Sequence, residues 1–272
     1  MSKRTSKKDI YANYSIEFCR DGGREKILSP IFGWIPPLLI DGNDKLGHGV
    51  WTLSTTPTNE EQTVIIDGVT MTVKGTCPLK CPGCYATTGN YRFKDVKASN
   101  ARKTILIRLH LDFVQRAIIA QIKANKIRIC RIHASGDFDP ETPAYITMWQ
   151  NVIRACPECK FWSYTKNKDA EHAFDDLENM NMVPSIIPKI GLNYGRIEYI
   201  LTAYERLRSG DESVYICRCG IDDNQHCTNC KGCSVHKYVL FVEHSTGYKA
   251  EKDPLYPQLV EVIESQPNVQ ED

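Results

Sequence analysis

The chain has no apolar run of transmembrane length; the nearest, residues 31–40, is broken by Gly33, Pro36 and Pro37. Its basic start is not followed by an apolar segment, so a secretory leader is not expected. Internal repeats and long low-complexity linkers are missing as well. Nor does one sign of charge dominate. The 34 Lys and Arg against 33 Asp and Glu leave a net charge of +1, so no global field draws the chain to nucleic acid or to a membrane surface. Lys3, Arg4, Lys7 and Lys8 at the start and Glu261, Glu264, Glu271 and Asp272 near the finish read as solvated tails. The expectation is a cytoplasmic protein with no membrane partner.

Cysteine is abundant by contrast, with 12 in 272 residues. Disulfides are reduced in the cytosol, so the expectation shifts to metal or cluster ligands. Most of these cysteines fall in two tight groups, Cys77, Cys81 and Cys84, then Cys217, Cys219, Cys227, Cys230 and Cys233. Scattered core cysteines would not cluster in this way.

Between the two groups, strand and helix signals alternate. Residues 1–60 are rich in Gly, Pro, Thr and Asn and read as an irregular cover or a few short strands. Residues 63–74 alternate, with Asp67-Gly68 as a hairpin turn, and lead straight into Cys77. Helices are expected over 101–123, from Pro143 after a Thr142 cap, over 170–180, and around Ile197 to Leu207. Strands are expected over 126–133, 160–165 and 213–217; the run 185–190 is weakened by Pro184 and Pro188. Such alternation predicts a parallel α/β sheet or barrel, with ligands at the carboxyl ends of its strands. Cys77, Gly136-Asp137 and Lys166-Asn167 each follow an expected strand and are expected to meet on one rim. The implied organisation is a cover over 1–60, an α/β core over 61–216, a cysteine-rich region over 217–250 and a tail over 251–272.

The run Cys77-Pro78-Leu79-Lys80-Cys81-Pro82-Gly83-Cys84 has the spacing C-x3-C-x2-C. Three thiolates this close suit three irons of a cubic cluster and leave the fourth iron open to a ligand. A structural zinc knuckle is the plainer reading, but it needs a fourth ligand from elsewhere. Together with its placement between a strand and a helix, the motif resembles that of the radical S-adenosylmethionine (radical SAM) superfamily. The resembling stretch runs over about 69–233. It includes Arg131-Ile132-His133-Ala134-Ser135-Gly136-Asp137-Phe138, Tyr164-Thr165-Lys166-Asn167 and the late cysteine group. The layout is similar to small members encoded by phages and mobile elements.

The resemblance implies a partial (β/α) barrel of radical SAM type with an irregular N-terminal region and a cysteine-rich C-terminal extension. It implies a [4Fe–4S] cluster on Cys77, Cys81 and Cys84, with S-adenosylmethionine chelating the fourth iron. Reductive cleavage of that cofactor would give methionine and a 5′-deoxyadenosyl radical that abstracts hydrogen from a substrate. An electron donor such as flavodoxin or ferredoxin follows as a partner. The substrate class stays open among a nucleotide, a peptide and a small metabolite. Gly83 stands where the family usually has an aromatic residue, and Tyr85 comes just after. Tyr85, Gly136, Asp137, Ser163 and Lys166 are the expected cofactor contacts.

The second group, C-x-C-x7-C-x2-C-x2-C, is similar to auxiliary-cluster extensions of that superfamily. A second [4Fe–4S] cluster on Cys227, Cys230, Cys233 and either Cys217 or Cys219 is expected. Zinc is the alternative, with His226 or His236 replacing a thiolate. Cys156 and Cys159 read as buried or free thiols, Cys19 and Cys130 as core, and His133 as a hydrogen-bonded core histidine. A non-catalytic, zinc-stabilised nucleic-acid- or protein-binding module is the competing functional reading.

Overall fold

The structure, a computed structural model, describes residues 5–42, 46–81, 84–187, 189–218, 221, 227–230, 232–243 and 248–266. Helix α1 (Lys7–Asn13) starts on a Ser6–Asp9 capping box, which satisfies two of its free backbone donors. Buried Tyr11 of α1 stacks on Phe18 at 4.6 Å. An antiparallel meander follows: β1 (Phe18–Asp21), β2 (Arg24–Ser29) and β3 (Gly33–Ile35). Next come β4 (Ile40–Asp41) and β5 (Val50–Ser54).

The first sixty residues thus hold more regular structure than their composition predicts. Strand β5 lies inside the main sheet, paired with parallel β8 (Ile129–Ser135) on one side and antiparallel β4 on the other. A core boundary at residue 61 therefore falls too late. The expected hairpin, β6 (Glu61–Ile66) and β7 (Val69–Lys74), is a separate two-stranded ribbon inserted after β5. Asp67 and Gly68 both have positive φ (50° and 82°), the turn that matches strand twist. Its inner residues Val64, Ile66 and Val73 pack against Ala98 and Ala101.

The expected helix over 101–123 is two helices, α2 (Lys94–Leu109) and α3 (Leu111–Asn125), broken at His110. Leu109 is 66% exposed at this break. Lys126 closes α3 in the left-handed conformation, its N–H bonded to the carbonyls of Ile122 and Lys123. After β8 come α4 (Ala144–Ala155), β9 (Lys160–Thr165), the single turn α5 (Lys168–Glu171) and β10 (Met180–Pro184). The helix expected over 170–180 stops after one turn. There Asn179 donates to the carbonyls of Ile153, Cys156 and Cys159, and Met180 joins β9.

The main sheet has the order β10-β9-β8-β5-β4, with four parallel strands and β4 antiparallel. It is open among the described residues. One face buries Cys130, Ile132 and Phe161 against α3 and α4 in the largest core. The other face carries Val50, Trp162, Ile129 and Tyr164, which pack on the late cysteine group.

A short hairpin, β11 (Ile186–Ile187) and β12 (Gly191–Leu192), leads to β13 (Tyr194–Gly195), α6 (Ile197–Ser209) and β14 (Val214–Ile216). The single turn α7 (Cys227–Cys230), β15 (Tyr238–Val242) and α8 (Tyr256–Ser265) complete the chain. Strands β13, β15 and β14 form a parallel sheet, covered by α6 and α8 in a second core. No described helix is long and apolar enough to cross a membrane.

Candidate functional site

Threonines mount the first cysteine loop on the carboxyl edge of the main sheet. Beyond β5, the Thr55 N–H donates to the Ser135 carbonyl (2.9 Å), and the Thr76 N–H to Thr56 (2.9 Å). The hydroxyls of Thr55 and Thr76 meet at 2.8 Å, and Thr76 Oγ1 accepts the Asp137 N–H at 3.0 Å. The Cys77 N–H donates to Thr58 at 3.0 Å. Two glycines make this packing feasible. A Cβ on Gly75 would stand 2.1 Å from the Thr58 carbonyl oxygen. One on Gly136, at φ +84°, would stand 1.8 Å from Thr55 Oγ1. Gly136 therefore has a packing reason of its own, beside any cofactor contact.

Asp137 is buried and crosslinks two strand ends. Oδ1 accepts from Thr165 Oγ1 and the Phe138 N–H (both 2.7 Å), and Oδ2 from the Lys166 N–H (2.8 Å). Burial raises its pKa and outweighs these bonds, which favour the ionised form. Cys77 is pushed up to about 12, chiefly by burial and then by the Asp137 charge, with Lys166 opposing. Cys81 is raised too, again by burial first, with Lys166 opposing. The half-buried Lys166 makes no ion pair among the described residues, so its charge is directed at this thiol-lined rim.

Strand β8 is irregular where it meets the loop. Thr52 pairs with Arg131 and Ser54 with Ser135, so two extra residues of β8 bulge out, with His133 at φ +62°. The bulge sends His133 into the core, where Nε2 bonds the Tyr145 hydroxyl at 3.0 Å, and burial depresses its pKa to about 3. The same bulge frees the Ala134 carbonyl. Tyr85, one residue past Cys84, donates its hydroxyl there, and Tyr91 does so at 3.3 Å. Tyr85 thereby ties the cysteine loop to β8, with its side of the residue 53% exposed.

Cys77, Cys81, Cys84, Tyr85, Gly136, Asp137 and Lys166 thus lie around one rim. Ser163 does not join them. It is fully buried within β9, and its hydroxyl donates to the Ile132 carbonyl at 2.8 Å. Among the described residues, no three Cys, His, Asp or Glu side chains are gathered at metal-binding distance. Pro82 and Gly83, inside the loop, lie outside the described residues. The donor set nevertheless suits a thiophilic metal or cluster. It offers three thiols on one loop, and a bound cation would offset the raised proton affinity of Cys77 and Cys81.

The second group packs on the sheet's other face. Cys217 and Cys233 are buried among Val50, Trp162, Val183 and Val239. Cys227 and Cys230 bracket α7, and the Tyr215 hydroxyl lies 3.0 Å from Cys230 Sγ. Asn181 holds the Cys233 and His236 carbonyls (2.8 and 3.0 Å). His236 stacks on Tyr215, and its Nδ1 bonds Ser213. Cys219 and His226 lie outside the described residues. Cys130, Cys156 and Cys159 are buried at the opposite, amino end of β8 and β9, all with proton affinities raised first by burial.

The sequence carries no signal of a role for Thr55, Tyr91 or Arg131. The one signal for Thr76 was its place directly before Cys77. Arg131 sat inside a quoted run with nothing to show its surroundings.

This chain belongs to the gene product 88 (GP88) family, whose model matches residues 37–247. That span holds the main sheet and both cysteine groups; α1, the β1–β3 meander and α8 fall outside it. No curated protein and no solved structure matches the chain.

Proposed function

We propose that this protein is a radical SAM enzyme. In this reading the open main sheet is a partial barrel, and Cys77, Cys81 and Cys84 hold a [4Fe–4S] cluster at its carboxyl rim. The observation that carries the reading is the junction of Thr55, Thr76, Asp137 and Thr165. It fixes the cysteine loop to the ends of β5, β8 and β9 together. When bound, the cluster, reduced by an external electron donor, would pass one electron to the sulfonium of S-adenosylmethionine, whose carbon–sulfur bond breaks.

The protein's own residues orient the reactants. Lys166 offers a cation to the cofactor's carboxylate. Asp137, fixed on both oxygens, would place its charge near the ammonium. The exposed Tyr85, next to Cys84 in the chain, would offer its ring to the adenine. Ser163 has no direct part, since its hydroxyl is spent inside the sheet.

Cys227, Cys230, Cys233 and either Cys217 or Cys219 would hold the second metal centre. Their seat in an apolar core gives that centre a structural duty whichever metal it takes. The test is the metal content of protein purified without oxygen. The reading predicts a brown protein with roughly eight irons per chain, the content of two [4Fe–4S] clusters. A colourless protein holding zinc at both sites, even after anaerobic reconstitution with iron and sulfide, would overturn it in favour of a zinc-stabilised binding module.

A further inference from the structure

Arg131 points from β8 toward the face that carries Tyr164 and the late cysteine group, opposite the helices. Its guanidinium sits 5.0 Å from the centre of the Tyr164 ring, and one Nη lies 3.4 Å from the Tyr85 hydroxyl, on the open side. Its Nε is sealed from solvent and bonds to nothing among the described residues. Tyr91 and Cys227 lie within electrostatic reach of the same group. Arg131 therefore stands between the first cysteine loop, through Tyr85, and the second group, through Cys227.

Among the described residues the surroundings supply rings and phenols but no carboxylate paired with it. Two other part-buried guanidiniums are answered: Arg108 by Asp139 at 2.7 Å and Arg102 by Asp67 at 2.6 Å. A permanently charged group moved out of water without a counter-ion costs free energy, and the usual compensation is an anion. A fork of guanidinium N–H donors that ends at the hydroxyl of the exposed Tyr85 suits a planar or tetrahedral oxyanion.

We infer that Arg131, flanked by the phenols of Tyr85 and Tyr164, is a binding site for the oxyanion of the substrate, a carboxylate or a phosphate. It would hold that substrate between the two cysteine groups. The oxyanion site stands on geometry alone; its assignment to the substrate rests on the enzyme reading above. Arg131 is thus a positioning residue that touches the substrate away from the reacting atoms.

The test is calorimetric titration of the full-length chain with inorganic phosphate and, separately, with acetate. At least one anion is expected to bind. Arg131→Gln should weaken that binding by at least about tenfold, the loss of one charge-assisted hydrogen bond. Arg131→Lys, which keeps the charge without the fork, should fall between, and it decides the matter if Arg131→Gln does not melt cooperatively. Binding of phosphate alone marks a phosphorylated substrate, and binding of acetate alone a carboxylic acid. No binding of either anion to the wild type, or unchanged affinity in the variants, would overturn the inference. The titration needs no cluster, so failure of the enzyme reading leaves its outcome intact and is seen separately in the metal content.

Discussion

The two cysteine groups are mounted by different physics. The first is held by polar bonds at a strand edge: threonine hydroxyls, backbone N–H groups and one buried carboxylate. Its thiols are half-buried, and Lys166 acts on them. The second is embedded in an apolar core of Val50, Trp162, Val183 and Val239, with Cys217 and Cys233 fully inside. A centre presented at an edge can lose a ligand without disturbing the core. A centre that fills a core cannot. The first group is therefore expected to govern activity and the second to govern stability.

The sharpest way to break this comparison is to remove one thiol from each group. Cys233→Ala is expected to cost on the order of 3 kcal/mol in metal-loaded protein, because a ligand and a packed side chain vanish together. After chelation the same substitution should cost only about 1 kcal/mol. Cys81→Ala should leave the denaturant midpoint close to wild type. Equal losses in the two variants, measured by chemical denaturation, would erase the distinction.

A smaller effect tests how the first loop is mounted. Thr76→Val preserves shape but leaves the Asp137 N–H without its acceptor and the Thr55 hydroxyl without its Thr76 partner. The expected cost is about 1–3 kcal/mol, with Thr76→Ser recovering most of it. A neutral Thr76→Val would show that the junction does not hold the loop.

Taken over a single pH unit, the smallest effect is the stability slope from the bulge beside that loop. His133 is neutral in the folded chain, with its pKa depressed from 6.5 to about 3 by burial. Its unfolded form binds a proton at the ordinary value. The stability it contributes is therefore full above pH 6.5 and lost as pH falls toward 3, by up to about 1.4 kcal/mol per unit. His133→Asn, which tolerates the left-handed backbone, should flatten the stability curve between pH 6.5 and 5. An unchanged slope in that window would place the proton uptake elsewhere.

Much of this arrangement was legible in residue order. Asp67-Gly68 marked its hairpin, the strand signals over 126–133 and 160–165 marked β8 and β9, and the residues after those strands did reach one rim. What escaped was long-range. Val50–Ser54 is too short and too far from a following helix to announce a sheet strand, because the β6–β7 ribbon intervenes. Periodicity carried one helix through His110 because side-chain pattern does not register a backbone break. Ser163 looked like a rim residue by position, yet the pleat turns it into the sheet. Arg131 gave no sign that its described neighbours would be phenols and a thiol.

The central claim is that the edge-mounted loop drives cofactor cleavage. Its most direct measurement is 5′-deoxyadenosine formed from S-adenosylmethionine by anaerobically reconstituted, reduced protein. The account predicts formation by the wild type and none by Cys81→Ala. No 5′-deoxyadenosine from iron-loaded wild type, or undiminished formation by Cys81→Ala, would contradict it.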